Sequence, residues 1–489
     1  MRFPMRALTA LLVAAPLSAQ TPAAGPRATL SLEEAQDLAA RNNPAYLQTE
    51  NNQVVAAANV RNAYGSLVPE VSASMGGGYR QGKQQFFGGQ AFGSTADQLS
   101  SSYAINANAQ YSLRSFLAPK QQRANADAVD GDIRNARMTL RTDVARQYLN
   151  ALAEEARAAL QDTLLRTAEV QLELANVRQQ VGSATILDVQ QARVQVGQQR
   201  VAIIRARALA ATEKQRLFQL LGVPASSTVE LTTSFPVEQP TFELTELLDI
   251  ARSENPALSS ARLRERAADV GVTAARGEYA PTLSLNANWG GYTNQLTDDQ
   301  SLLAGQLGQK QGPCYQAEQI KAIVGQPSNP AACAAIALTP QEISAVKASN
   351  KAFPFDFTTN PYELSVRLTL PIYNGFAREQ RVQEASVARN DARYDVRAAE
   401  LRVDTEVNIA FLSLQAAYEA YSIQQQNVAT ARQALELAQE RYRVGASTFV
   451  EVSTARDDYE RAVQEEIDAA YAYHRSYAAL EAAVGRPLR

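Results

Sequence analysis

The chain has 489 residues, with 47 Lys and Arg against 50 Asp and Glu, a formal net charge of −3, one histidine and two cysteines. That balance offers no basic face for a nucleic-acid partner. A single His and two Cys give neither a metal cluster nor a cofactor site to propose.

The first residues, MRFPMRALTALLVAAPLSAQ, place Arg2 and Arg6 ahead of a short apolar run and small residues ending at Ala19. This reads as a secretory signal peptide over 1–19, because the run is too short to span a bilayer. No later stretch approaches ~18 consecutive apolar residues, so no transmembrane helix is expected in the mature chain. A short helix is predicted over Ser31–Arg41, ending at Asn-Asn-Pro, and a second over about Pro44–Ser66. Pro69 then opens an extended segment in which Val71, Ala73 and Met75 alternate. A cleaner strand follows in YAINANAQYSL, where Tyr103, Ile105, Ala107, Ala109, Tyr111 and Leu113 take one face and Asn106, Asn108, Gln110 and Ser112 the other. From Lys120 to Val181 only Gly131 interrupts a long helical pattern, which breaks at Val181-Gly182 and returns to Leu221-Gly-Val-Pro.

The second half repeats this order. TLSLEEAQDLAARNNPA (29–45) matches TFELTELLDIARSENPA (241–257), and RQQVGSATILDVQQAR (178–193) matches RYRVGASTFVEVSTAR (441–456). The repeats are therefore read as 29–224 and 241–489, joined by a linker over 225–240. Its strands are PTLSLNANW from Pro281 and YELSVRLTL from Tyr362, again apolar and polar by turns. Between them lies an insert, about 294–360, larger than its counterpart in the first half and read as an extracellular lid. Cys314 and Cys333 fall inside it; an oxidising compartment would pair them, the alternative being two free thiols. From Phe376 to Val444 there is no Gly or Pro, and Val403, Val407, Ala410, Leu414, Ala417, Tyr421, Gln424, Val428, Ala431, Leu435, Ala438 and Tyr442 keep the 4-3 spacing of a coiled-coil seam.

Segments of about ten alternating residues are the signature of membrane barrel strands, and four per chain are too few to close a barrel of about eight or more. Open edges cannot face hydrocarbon, so several chains must combine; three would give 12 strands with a passage. The fold class is thus an α+β membrane protein, a trimeric 12-stranded β-barrel continued by a helical coiled-coil barrel, with an internal tandem duplication. The glycines of the two Val-Gly breaks, Gly182 and Gly445, are hairpin tips, each followed by a threonine, Thr185 or Thr448, able to cap the returning helix.

The duplicated plan, the NNP and ENP helix starts, LPIYNGFAR (370–378) and the two VGxxT breaks closely resemble the TolC family of outer-membrane channel-tunnels, over essentially the whole mature chain. The resemblance implies a homotrimer in the outer membrane of a Gram-negative bacterium. It would be the exit duct of a tripartite efflux or type I secretion system, with a periplasmic adaptor and an inner-membrane transporter as partners. It also implies that the tips, Val181, Gly182, Thr185, Val444, Gly445 and Thr448, dock the adaptor and form the resting gate. In the family a Tyr before the second Val-Gly pairs with an Asp of the neighbouring hairpin, which Tyr442 and Asp188 match. Glu451 matches one acidic position at the aperture, Thr454 stands in a second, and Ser447 stands where the family has an Arg. Asp188 and Glu451 also read simply as first-turn helix acids.

An enzyme is the competing class. Gly77, Gly82 and Lys83 fit a phosphate-loop spacing, but Gln84 replaces the required Ser or Thr. His474 continues an apolar seam. A structural or adhesive coiled-coil protein is the other alternative, and the alternating strands argue against it.

Overall fold

The computed structural model describes residues 29–82, 84–87, 90–94, 96–224, 229–233 and 235–488, so the proposed signal peptide, Lys83 and part of the proposed linker lie outside the described residues. In chain order the elements are β1 (Thr29–Leu30), α1 (Leu32–Asn42), α2 (Pro44–Gly65), β2 (Glu70–Arg80), β3 (Gln84–Phe87), β4 (Gln90–Ser94) and β5 (Gln98–Tyr111). Then come α3 (Leu113–Gln180), α4 (Ile186–Leu221), β6 (Glu230–Leu231), α5 (Leu244–Glu254), α6 (Pro256–Arg276) and β7 (Thr282–Leu296). The rest are α7 (Asp299–Ile323), α8 (Pro330–Ala334), α9 (Pro340–Ser349), β8 (Thr358–Thr359), β9 (Glu363–Thr369), α10 (Ala377–Arg443) and α11 (Phe449–Val484). Two compact units result: the described parts of Met1–Asn52 with Asp130–Ala261 and Val396–Arg489, and Gln53–Val129 with Arg262–Asp395.

The second of these holds an antiparallel sheet in the order β2-β5-β7, with β8 and β9 both on the far side of β7. Register sets Val71 beside Ala107, Ala107 beside Ala287 and Ala287 beside Leu364, all on one face. One residue along, Ser72, Asn106, Asn288 and Glu363 form a row on the other face, where Asn288 donates to Asn106 at 3.0 Å. Leu364, Val366, Leu368 and Val71 are exposed on the apolar face. This two-faced sheet is what the alternation of the sequence encodes.

The helix over 113–180 starts earlier than the sequence suggests, carrying Pro119 inside its second turn. Ser112 and Ser115 explain this: each backbone N–H bonds the other's hydroxyl, at 2.7 and 3.1 Å. That reciprocal cap fixes the start before the proline can. The insert forms α7, α8 and α9, with Cys314 and Cys333 joined by a disulfide between the first two, Cα atoms 5.6 Å apart. Its return segment lies on the apolar face of the sheet. Ser101 and Thr293 are buried there, bonded to each other at 2.7 Å, and Ser101 donates to the Pro354 carbonyl at 2.6 Å. Phe357 packs edge-on against Tyr103, centroids 4.9 Å apart. Two hydroxyls on an otherwise apolar face need partners, and the return segment brings one.

The other unit contains the helical repeats, each with its own core. Tyr148, Leu217, Leu221, Ala35 and Ala39 are central to the first, Leu247, Leu258, Val407, Leu414 and Leu480 to the second. The predicted seam of α10 is realised: Val403, Val407, Ala410, Leu414, Val428 and Leu435 are buried and the other seam positions half-buried. The NNP and ENP motifs become equivalent joints. Asn43 accepts from Tyr46 N and donates to Leu220 O at 2.8 Å; Asn255 accepts from Leu258 N and donates to Ala483 O at 2.8 Å. Each amide therefore caps one helix start and ties it to another helix's end, next to a left-handed glycine, Gly222 or Gly485. A Cβ on Gly222 would lie 2.2 Å from Asn42 O, so only glycine fits this crossing.

Candidate functional site: the paired hairpin tips

At the first tip α3 ends at Gln180 and Gly182 takes φ +76°, letting Ser183 N reach back to Arg178 O at 2.8 Å. Thr185 Oγ1 accepts from Asp188 N at 3.2 Å, and Asp188 Oδ2 accepts from Thr185 N at 2.8 Å, a reciprocal capping box. The second tip repeats the geometry: Gly445 has φ +82°, Ala446 N bonds Arg441 O at 2.8 Å, and Thr448 Oγ1 accepts from Glu451 N at 3.3 Å. Glycine is needed at both because the turn is left-handed, whereas no atom outside the turn crowds either position.

Tyr442 and Asp188 are not bonded within the chain. Asp188 is engaged in its own cap, and the buried Tyr442 hydroxyl has no hydrogen-bond partner among the described residues. What joins the two tips is Arg178. Its guanidinium sits 4.4 Å from the Tyr442 ring centroid, with Nη1 donating to Tyr442 O at 3.1 Å and Nη2 to Arg443 O at 2.9 Å. These are carbonyls of the last turn of α10, where the helix dipole favours a cation. Beneath the arginine, Ala175, Val189, Ala192 and Phe449 form a small core, with Tyr442 edge-on to Phe449 at 6.2 Å. Ser447 donates a long bond to Ala438 O at 3.4 Å. Sequence reasoning passed over Arg178, although its repetition at Arg441 in the matched stretches marked the position.

The ends of the tips are apolar and uncovered. Val181 and Val444 are 72% and 73% exposed, and Ile186, Leu187 and Val450 are exposed beside them. Between the starts of α4 and α11 runs a groove of about 460 Å³, lined by Leu187, Gln190, Val194, Phe449, Val450 and Thr454. Exposed aliphatic residues grouped in this way mark an interaction surface. Among the described residues there is no group of three or more His, Cys, Asp or Glu able to hold a metal, and no helix long and apolar enough to cross a membrane. His474 is buried among Phe235, Tyr471 and Tyr473.

A two-faced sheet, duplicated long helical hairpins and bare glycine tips are the features to set beside known proteins. The family model described as outer membrane efflux protein matches residues 24–223 and 338–486. The chain belongs to the outer membrane efflux protein family. It is 24% identical over 443 residues to the pyoverdine export outer membrane protein OpmQ of Pseudomonas putida, covering 86% of this chain and 79% of that protein. A probable efflux pump outer membrane protein of the same species, TtgC, is 30% identical over 182 residues, 36% of this chain and 35% of the relative. Among solved structures, the Campylobacter jejuni CmeC outer membrane channel superposes with a TM-score of 0.67 at 15% identity, over 93% of this chain and 85% of that one. The open state of the Neisseria gonorrhoeae MtrE outer membrane channel gives 0.67 at 17% identity, over 94% and 89%. This member of the family is thus an outer-membrane protein and the exit duct of an efflux system, with its helical hairpins in the periplasm.

Proposed function

We propose that three copies of the chain close a 12-stranded barrel, and that the resulting homotrimer receives small-molecule cargo from an inner-membrane transporter through a periplasmic adaptor. The carrying observation is the sheet itself: β2 on one side and β8 with β9 on the other are its open edges, and hydrocarbon cannot satisfy their backbone groups. Relatives named for pyoverdine export and for efflux pumps favour small molecules over secreted proteins as cargo. In this reading 1–19 is the signal peptide, 29–224 and 241–489 are the two repeats, and the insert 294–360 is extracellular.

The tips are the docking surface for the adaptor, through Val181, Gly182, Thr185, Val444, Gly445 and Thr448. Asp188, Tyr442 and Glu451 line the gate, and Arg178 holds the two tips of each chain together. The matching geometry of the two tips supports this assignment, since each presents an acid in the first turn of its returning helix, Asp188 in one and Glu451 in the other. Light scattering of the detergent-extracted protein tests the assembly: a trimer is expected, and a stable monomer with intact β-structure by circular dichroism would overturn it.

A further inference from the structure

On the polar face of the sheet, at the end where β7 leads into the insert, three neighbouring strands leave a shallow groove of about 400 Å³. Two rows of the register form it: Gly76 beside Ser102 and Tyr292, then Gly78 beside Ser100 and Asn294. With strands ~4.8 Å apart and same-face rows ~6.8 Å apart, its floor measures roughly 10 by 7 Å. Gln98, one row further on, donates its amide N–H to Asn294 on the adjacent strand and closes that end.

The groove is not left open by the needs of packing. A Cβ on Gly76 would meet nothing within 4 Å, and one on Gly78 would touch only Ser100 Oγ at 3.7 Å. Gly290, one row below on the same face, is different, because a Cβ there would come 2.5 Å from Tyr103 O. Glycine inside a strand costs about 0.5–1 kcal/mol against alanine. Where the chain's own packing does not require it, a strand glycine marks the close approach of another group. The walls indicate which kind of group. Ser100, Ser102 and Asn294 bring hydroxyls and an amide, the Tyr292 ring is 48% exposed, and among the described residues no charged side chain lines the groove. An ion would lose hydration there without gaining a countercharge. Hydroxyls and amides both donate and accept, and the negative face of a phenol ring attracts C–H groups. A sugar ring presents this combination, with hydroxyls at its rim and C–H groups on its face.

We propose that this groove binds a neutral, hydroxyl-rich sugar ring, whose C–H face lies on Tyr292 and whose hydroxyls meet Ser100, Ser102 and Asn294. Its position inside the passage rests on the barrel reading above, in which the polar face lines the lumen; the binding itself does not. The sugar is carried by a glycosylated solute in transit or by a surface polysaccharide that reaches the mouth.

The test uses the full-length protein in a detergent without a sugar headgroup, titrated with methyl β-D-glucopyranoside and followed by saturation-transfer NMR. Transfer to the ring C–H protons is expected. Tyr292→Ala should weaken the apparent affinity up to about tenfold, the scale of one aromatic contact. Gly76→Val, which fills the groove from β2 without touching the ring, should abolish transfer while the thermal unfolding and assembly of the protein stay unchanged. No transfer in the parent, or equal transfer in the parent and both variants, would overturn the proposal. Loss of assembly in Gly76→Val would also overturn it and assign the glycines to a contact between copies. Purified surface polysaccharide added to the outside of protein-bearing vesicles separates the two sources: competition with the glycoside assigns the site to the polysaccharide, and its absence assigns it to a solute in transit. A monomer by light scattering that still binds the glycoside would keep the site and refute only its place in a passage.

Discussion

Replacing Arg178 by Ala should part the two tips of each chain. The substitution removes two hydrogen bonds from a charged donor to carbonyls of α10, at 3.1 and 2.9 Å, and a guanidinium stacked at 4.4 Å on Tyr442. Charge-assisted bonds are worth about 1.5–3 kcal/mol each when shielded, and an exposed cation–π contact about 0.5–1 kcal/mol. The Nη2 bond is exposed, so water replaces much of it on truncation, which brings the loss to about 2 kcal/mol per chain. That corresponds to roughly a 30-fold shift from joined towards parted tips in each chain. Spin labels at the exposed positions Ser183 and Ala446 report the separation directly, and a broadened, longer distance distribution is expected, together with higher resting conductance in planar bilayers. Arg178→Lys keeps the cation at the end of α10 but loses the planar fork, and should fall between the two. Unchanged distances and conductance in Arg178→Ala would refute the role of this residue as a latch.

Gly222→Ala should destabilise the helical unit far more than Gly182→Ala, since the added Cβ meets Asn42 O at 2.2 Å in the first case and nothing within 4 Å in the second; thermal unfolding should lose about 3 kcal/mol against about 1. Asp188→Asn with Glu451→Gln keeps an acceptor in the Thr185 cap but removes up to six charges from a trimer's aperture, so cation selectivity in planar bilayers should fall; unchanged selectivity would leave both as ordinary first-turn acids. In the insert, Lys310 and the cap at Thr339 hold the Glu342 carboxyl down to about 2 from 4.5. A depressed carboxylate stabilises above its unfolded pKa and loses that contribution as pH falls through the folded one. Hydrogen-exchange protection of α9 should therefore be full at pH 7, decline between about 4.5 and about 2, and decline at higher pH in Lys310→Ala.

Local rules made much of the architecture legible. The alternation of Tyr103 to Tyr111 and of Tyr362 to Leu370 set the two faces of a sheet, and the 4-3 spacing from Val403 to Tyr442 set the buried stripe of α10. Both are periodicities that one element imposes on its own residues. The tips were legible for the same reason, since a left-handed glycine and a threonine cap act within a few residues. The start of α3 before Pro119 was missed because a serine pair seven and four residues upstream, Ser112 and Ser115, outweighs the preference a proline exerts.

Other features required the tertiary structure. Nothing near Arg178 in the chain shows that its guanidinium will find carbonyls more than 260 residues away, or that Asp188 will be committed to its own cap instead of Tyr442. Asn43 and Asn255 read as helix punctuation, yet each side-chain amide also ties down a helix end, at Leu220 and Ala483. The return of the insert onto the apolar face depends on Ser101 and Thr293 lying side by side on neighbouring strands. A periodic pattern says which side of an element will be buried, but it is indifferent to which partner arrives there. That choice is made when hydrogen-bond donors, acceptors and rings far apart in the chain are brought within about 3 to 5 Å by the packing of whole elements.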